Sequence, residues 1–426
     1  MTDTLGPPGL LGLDDQFHRD PYAGYQRLRD HPPVRDPVYG VLLVSRYDDI
    51  VEVVRQPAVF SSSVAPAGPP PDMSGLDPDT RRRLSEAGSS TTPVRTLVTA
   101  DPPDHSRYRA LVSRHLGMRR ATEAEPVMRT MAERLVDGFV DDGHVELVSA
   151  FAGPFPLAVV AMLLGMADGE DELLRKWADD AAEVIGNPPA VIERSRRGIG
   201  KRSDHGFDGY CRQQIAERRR HPVEGDLISD LVHSTTDDGR PLSEAELLSI
   251  LGHFLVAGHE TSTKMLTTAI WLLATHPAVM AAVRVDPGLI PNVVEEALRF
   301  DAPVQAMFRL ATADTTVGGV GVSAGTMVML LYGSANRDPR HFAEPDRFDP
   351  SRFDSRHHLS FGQGAHFCVG APFARAEGRI GLEVLLGRLK DLKVDRRATA
   401  ARRRKPSFIL RGIEELHLNF RSAENL

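Results

Sequence analysis

The chain has 426 residues, of which 51 are Lys or Arg and 58 are Asp or Glu, giving a net charge of −7. With 41% hydrophobic and 26% charged residues the composition is ordinary for a globular protein, which excludes a disordered, collagenous or rod-like chain, and no basic tract is present for nucleic acid. Two cysteines, Cys211 and Cys368, are too few for a disulfide framework or a four-sulfur zinc site, and fit a reducing compartment.

The N-terminus, MTDTLGPPGLLGLDDQF, has no basic start and only a short apolar patch. It reads as an extended arm over residues 1–20, neither signal peptide nor membrane anchor, so a cytoplasmic protein is expected. Apolar residues at three–four spacing predict helices over 21–30, 47–55, 104–116, 123–141 and 155–164. Residues 61–93, rich in Ser, Pro and Gly, form a long loop with a helical piece, DPDTRRRLSEAG. A loop of that length is a binding lid or is disordered. Strands are predicted at 38–44 and as two runs within 315–331.

The longest helix opens at Ser243, with Glu246 three residues on as a capping box, and stops before His276-Pro277. At roughly 1.5 Å per residue it spans about 50 Å, in a globule roughly 55–60 Å across, so it crosses the whole molecule. His253, His259, Glu260 and Lys264 interrupt its apolar run too early for a membrane span. The fold class is mainly α with a minor β portion.

Three short motifs fail on context. His259-Glu260 begins a zinc-helix pattern, but position 263 is Thr where the second histidine is needed. Gly319-x-Gly321-x-x-Ala324 precedes a strand-like run where a dinucleotide loop needs a helix N-terminus. Ser262 has no GxSxG setting. Residues 361–370, FGQGAHFCVG, are different in kind. A single Cys in an apolar stretch is ordinarily a small buried hydrophobe. Here Gly362, Gly364 and Gly370 surround Cys368, and glycine permits backbone conformations that aim amide N–H groups at the sulfur. Such bonds favour a thiolate and tune a metal bound to it. The next residues, APFARAEGRIGLEVLLGRL, read as an amphipathic helix whose positive N-terminal end also favours the anion.

The pattern FGxGxHxCxG resembles the haem-ligand signature of the cytochrome P450 monooxygenases. Four further motifs in the expected order extend the resemblance from about residue 20 to about residue 420. Glu296 and Arg299 match the family's ExxR, three apart on one helix face. Residues 345–348, PDRF, resemble its PERF segment with Asp346 in place of Glu, and Arg347 is expected to complete a Glu-Arg-Arg cluster behind the Cys loop. His105 and Arg109 match the HxxxR pair and, with Arg309 and His366, are implied to hold the haem propionates. Residues 257–262, AGHETS, match the oxygen-site motif. Ala257 and Gly258 are implied to leave room for dioxygen, and Glu260 and Thr261 to form a catalytic acid–alcohol pair. Residues 332–339 resemble the family's turn before the PERF region.

The resemblance implies a single P450 domain over residues 1–426, with the haem between the long helix and the Cys loop. The cofactor would be haem b, iron protoporphyrin IX, with Cys368 as axial ligand and Phe361, Gly362 and Gly370 in its cradle. The activity would insert one oxygen atom of O2 into a lipophilic small molecule, by hydroxylation or epoxidation, as a tailoring step in bacterial secondary metabolism. No flavin or nicotinamide domain is evident, so electrons would come from NAD(P)H through ferredoxin reductase and ferredoxin. Arg107, Arg114, Arg119 and Arg120 would dock an acidic ferredoxin on the Cys-loop side. Val94, Phe254, Val304, Met307, Ile409 and Leu410 would line the substrate pocket, and residues 193–202, ERSRRGIGKR, could meet an anionic or carrier-bound substrate. A monomer without nucleic-acid or membrane partners is expected. Two rivals stand beside this reading: a peroxide-driven haem-thiolate peroxygenase and a non-catalytic haem protein that recruits a partner. The Glu260–Thr261 pair disfavours both.

Overall fold

The computed structural model describes residues 20–37, 39–65, 94–166, 171–183, 185, 193, 206–236, 239–395 and 407–423. The N-terminal arm, most of the 61–93 loop with its helical piece, Val38 and nearly all of 193–202 lie outside the described residues.

Among the described residues the helices are α1 (Tyr22–Arg29), α2 (Tyr47–Val54), α3 (Asp104–Leu116), α4 (Met118–Asp137), α5 (Pro154–Leu163), α6 (Asp171–Ala182), α7 (Phe207–Arg220), α8 (Leu227–His233), α9 (Glu244–Thr275), α10 (Pro277–Val285), α11 (Ile290–Phe300), α12 (Tyr332–Ala335) and α13 (Ala371–Arg388). The strands are β1 (Val34–Arg35), β2 (Leu42–Val44), β3 (Phe60–Ser61), β4 (His144–Glu146), β5 (Met307–Ala311), β6 (Thr315–Val317), β7 (Val320–Val322), β8 (Met327–Leu330), β9 (Leu389–Val394) and β10 (His417–Ser422).

Helix α9 starts where the capping box places it. Ser243 Oγ accepts from Glu246 N at 3.3 Å, and Glu246 accepts from Ser243 N at 2.7 Å. Arg240 and the Tyr108 hydroxyl also bond this carboxylate, and Arg240 foremost holds its pKa far below the ordinary range. Pro277 ends the helix, and α10 leaves at 102°. No single helix among the described residues is long and apolar enough to cross a membrane. Helix α4 begins at Met118, ahead of the expected 123, because Gly117 caps a first turn too polar to show apolar periodicity.

The β portion differs more. The expected strand at 38–44 contracts to β2, because Gly40, at φ +66, reverses the chain so that β1 pairs with β2. The expected pair within 315–331 is three strands in two sheets. Strands β6 and β7 close a hairpin, while β8 enters a five-stranded sheet of order β1-β2-β8-β5-β3. There β8 runs parallel to β2 and antiparallel to β5. A third sheet, β4-β10-β9, joins the chain's end to residues 144–146. The largest apolar cluster surrounds α9 with α5, α11 and α13; a second joins α2 to the five-stranded sheet, and a third joins α1 to Phe408 and Ile409.

A buried ion pair ties α11 to the loops before Cys368. Glu296 and Arg299 are both 0% exposed and meet through two bonds of 2.7 and 2.8 Å. The remaining Arg299 donors reach the carbonyls of Asn336, Pro345 and Arg347, and Glu296 Oε1 accepts from Asp349 N at 2.9 Å. The expected third member, Arg347, is not there. Its side chain is 63% exposed and pairs with Glu344 and Asp349, and only its carbonyl touches Arg299. Arg352 takes that place: its side chain is 8% exposed, Nε lies 3.5 Å from Glu296 Oε1, and Nη1 donates to Ala343 O at 2.6 Å. The segment that matters is residues 348–353, FDPSRF, in which Phe348 and Arg352 turn inward while Phe353 is 95% exposed. Removing one partner of a buried charged cluster is strongly destabilising. R352A should therefore cost about 3 kcal/mol or more, and R347A should stay within about 0.5 kcal/mol. Chemical unfolding of both variants checks this, and equal losses would return Arg347 to the cluster.

Candidate active site

Helix α9 is buried over most of its length, yet His253, Ala257 and Thr261 keep accessible surface, with Ala257 exposed at mid-helix. Positions four apart share one face, so this stripe marks the side of α9 that borders an open space inside the fold. Thr261 Oγ1 donates to Ala257 O at 2.7 Å. Gly258 lies off the stripe in function: a Cβ there would come 2.7 Å from Val160 Cγ2. Its smallness lets α5 approach α9, and Ala257 is the small residue on the open face. Glu260 is buried and 2.8 Å from Lys264 Nζ, which is also 2.7 Å from Glu414 Oε1. Neighbouring residues on a helix do not face each other, so the Glu260 carboxylate is engaged away from the Thr261 hydroxyl.

The Cys loop leads directly into α13, which packs against α9. Cys368 N donates to Phe361 O at 2.8 Å, and Phe367 N to Gly364 O at 3.1 Å, closing the loop on itself. Gly364 has φ +73, and a Cβ there would lie 2.8 Å from Val54 O at the end of α2, so conformation and space both require glycine. Burial pushes the Cys368 thiol up from its ordinary pKa. The amides of Gly370 and Ala371 and the cations of Arg109 and Arg375 act the other way. Arg375 also bonds Glu295 at 2.5 Å and lies over the Phe361 ring.

Four basic side chains converge beside this loop. The rings of His105 and His366 are 4.1 Å apart, and Arg109 and Arg309 both press on the protonation of His366. Burial first, then these neighbours, hold the His366 pKa down to about 3. His105 is likewise lowered by burial and by Arg109, against the opposing charge of Asp101. His366 Nε2 is buried without a hydrogen-bond partner. Such a cluster costs free energy unless an anion completes it. Among the described residues no group of three or more His, Cys, Asp or Glu could hold a metal, so a metal bound to Cys368 must bring its other ligands with it. An iron porphyrin fits both demands, with carboxylates for the cations and a metal suited to thiolate.

The expected pocket residues are split by the structure. Val304 and Leu410 pair across an isolated bridge and keep accessible surface, as do Met307 and Val94, whose carbonyl accepts from Ser249. Ile409 is 1% exposed and turns into the third cluster, because alternate residues of an extended segment face opposite ways. Phe254 is buried in the main core, and His253 stands on the open face in its place. His253 Nδ1 is 3.5 Å from Thr96 Oγ1, and burial lowers its pKa to about 4. Spacing could have found it, since 253, 257 and 261 form one series. Arg107, Arg114, Arg119 and Arg120 each carry a carboxylate partner: Asp104, Asp230, and Glu123 for the last two. A separate cavity of about 210 Å³, lined by His115, Asp226 and Phe373 among others, shares none of the converging residues.

A Cytochrome P450 family profile matches residues 191–286 and 288–414. The chain is similar to 6-deoxyerythronolide B hydroxylase of Saccharopolyspora erythraea, 35% identical over 94% of this chain and 96% of that protein. It is also similar to cytochrome P450 monooxygenase PikC of Streptomyces venezuelae, 35% identical over 92% of this chain and 90% of that one. Among solved structures, substrate-free cytochrome P450 CYP150A6 of Mycobacterium marinum is similar at a TM-score of 0.80 and 34% identity, over 96% of this chain and 98% of that chain. With these matches laid over the ordered motifs and the helix-rich fold, the chain belongs to the cytochrome P450 family of monooxygenases, which use haem and O2.

Proposed function

We propose that the chain inserts oxygen into a lipophilic small molecule, by hydroxylation or epoxidation, as a tailoring step in bacterial secondary metabolism. The observation that carries the reading is the set of four basic side chains beside a thiol at a helix N-terminus, next to the accessible face of α9. His105, Arg109, Arg309 and His366 would hold the haem carboxylates, the Cys368 thiolate would ligate the iron, and Phe361, Gly362 and Gly370 would shape the cradle. When bound, the haem supplies the iron at which O2 is reduced and from which one oxygen atom is transferred.

The chain's own part is positioning and protons. The amides of Gly370 and Ala371 favour the thiolate form of Cys368 against the cost of burial. Val304, Met307 and Leu410 offer apolar contact on the substrate side, and the neutral ring of His253 offers a hydrogen bond there. Thr261 Oγ1 places a hydroxyl on the open face, able to hold a proton where oxygen is reduced, and Glu260 supplies an acid one residue away. Electrons would arrive from NAD(P)H through ferredoxin reductase and ferredoxin. Arg119, with 86% of its side chain exposed, and its neighbours on α3 and α4 would receive the ferredoxin. Their exposed ion pairs are worth about 1 kcal/mol or less each, so a partner's carboxylates can replace them.

With a lipophilic ligand that shifts the haem spectrum to high spin, T261A should release several times more hydrogen peroxide per NAD(P)H consumed. Product formation should fall about tenfold or more. Unchanged partition would remove Thr261 from proton handling. Charge reversal in R114E/R119E should slow reduction by ferredoxin, with the difference shrinking as ionic strength rises. Equal rates at low salt would contradict docking on this face.

A further inference from the structure

Lys264 lies one helical turn beyond Glu260 on α9, and its side chain is only 5% exposed. Its ammonium is 2.8 Å from Glu260 Oε1 and 2.7 Å from Glu414 Oε1. Burial alone would lower the pKa of such a lysine, but the two carboxylates outweigh it and raise the pKa, so the group stays charged. The stem is fixed as well as the head. A Cβ on Gly412 would overlap Cβ, Cγ and Cδ of Lys264, so the backbone at 412 lies directly on the lysine methylenes.

The segment that makes this contact is pinned at its other end. Gln305 N donates to Ile409 O at 2.7 Å, Arg411 N donates to Pro303 O at 2.9 Å, and Arg411 Nε donates to Asp301 Oδ1 at 2.8 Å. Residues 409–414 thus present Leu410 on the accessible side, Gly412 against the lysine stem and Glu414 to the lysine head.

We propose that Lys264 is a positioning residue for proton delivery: it holds Glu260 ionised and turned toward the 409–414 segment, with Glu414 as the opposing carboxylate. This rests on the reading of Glu260 as the acid that serves the Thr261 side. A carboxylate kept charged at neutral pH can accept a proton from solvent and pass it on. The same buried carboxylate without its cation keeps the proton it has. Because Glu414 shares a short, pinned segment with Leu410, the state of the acid is tied to the wall of the substrate side.

Infrared difference spectroscopy of the haem-loaded protein at neutral pH reads carboxyl protonation directly. K264M should add a protonated-carboxyl band to that of buried Glu377, whose pKa burial raises to about 8, and K264M/E260Q should lose the added band. K264R, which keeps the charge, should add no band. The carbon monoxide complex reports that each variant is folded, and K264Q replaces K264M if that variant does not take up haem. A lysine-to-neutral spectrum without the added band, or an added band that survives in K264M/E260Q, would overturn the proposal. Failure of the Glu260 reading shows itself separately, as an E260Q enzyme with unchanged product yield per NAD(P)H while the band pattern holds.

Discussion

The Glu296–Arg299 pair has no exposed side-chain surface, and two charges so placed are tolerated only when their other donors and lone pairs are met. Meeting them organises the approach to the Cys loop. Arg299 fixes the carbonyl of Asn336, and the Asn336 side chain then bonds Leu359 N at 2.6 Å and Ser360 Oγ at 2.8 Å. Ser360 Oγ returns to Leu298 O on α11 at 2.6 Å. Residue 361, where the Cys loop begins, therefore starts from a point fixed on both sides. Next along α11, Glu295 reaches both His358 and Arg375, joining the segment before the loop to the helix after it. Burial would raise the Glu295 pKa, but these two partners lower it to about 2, so the carboxylate stays charged at neutral pH.

On this frame the site separates two kinds of chemistry. One side gathers positive charge and a thiol: His105 and Arg109 from α3, Arg309 from β5, and His366 and Cys368 from the loop. The other side is a stripe of α9 with one small residue, one hydroxyl and one imidazole facing outward. The acid sits at the boundary, held by Lys264 and away from the stripe. Cation and thiol are arranged for an anionic, metal-bearing ligand, while the stripe meets what that ligand acts on.

Much of this was legible in the sequence because local signals coincided with tertiary ones. The capping box at Ser243, the proline at 277 and the Gly-rich Cys loop are short-range features, and each element forms where its own residues dictate. What the sequence left open depends on distant partners. Strand β2 is short and pairs with β8 nearly three hundred residues away, which no local pattern records. The two Arg-Phe pairs at 347–348 and 352–353 look alike, and only the tertiary packing shows that Arg352 and Phe348 are the buried members. Gly258 reads as a gap for a ligand until Val160 is seen filling it. In sequence Lys264 shows only as a charge that interrupts the apolar run, because its second carboxylate, Glu414, lies 150 residues on.

The most direct test is the absorption spectrum of the haem-loaded protein, reduced with dithionite and exposed to carbon monoxide, beside that of C368S. The account predicts the long-wavelength Soret band of thiolate ligation in the unsubstituted protein and its loss in C368S. A band at the shorter, histidine-like wavelength in the unsubstituted protein, or failure to bind haem at all, would contradict it.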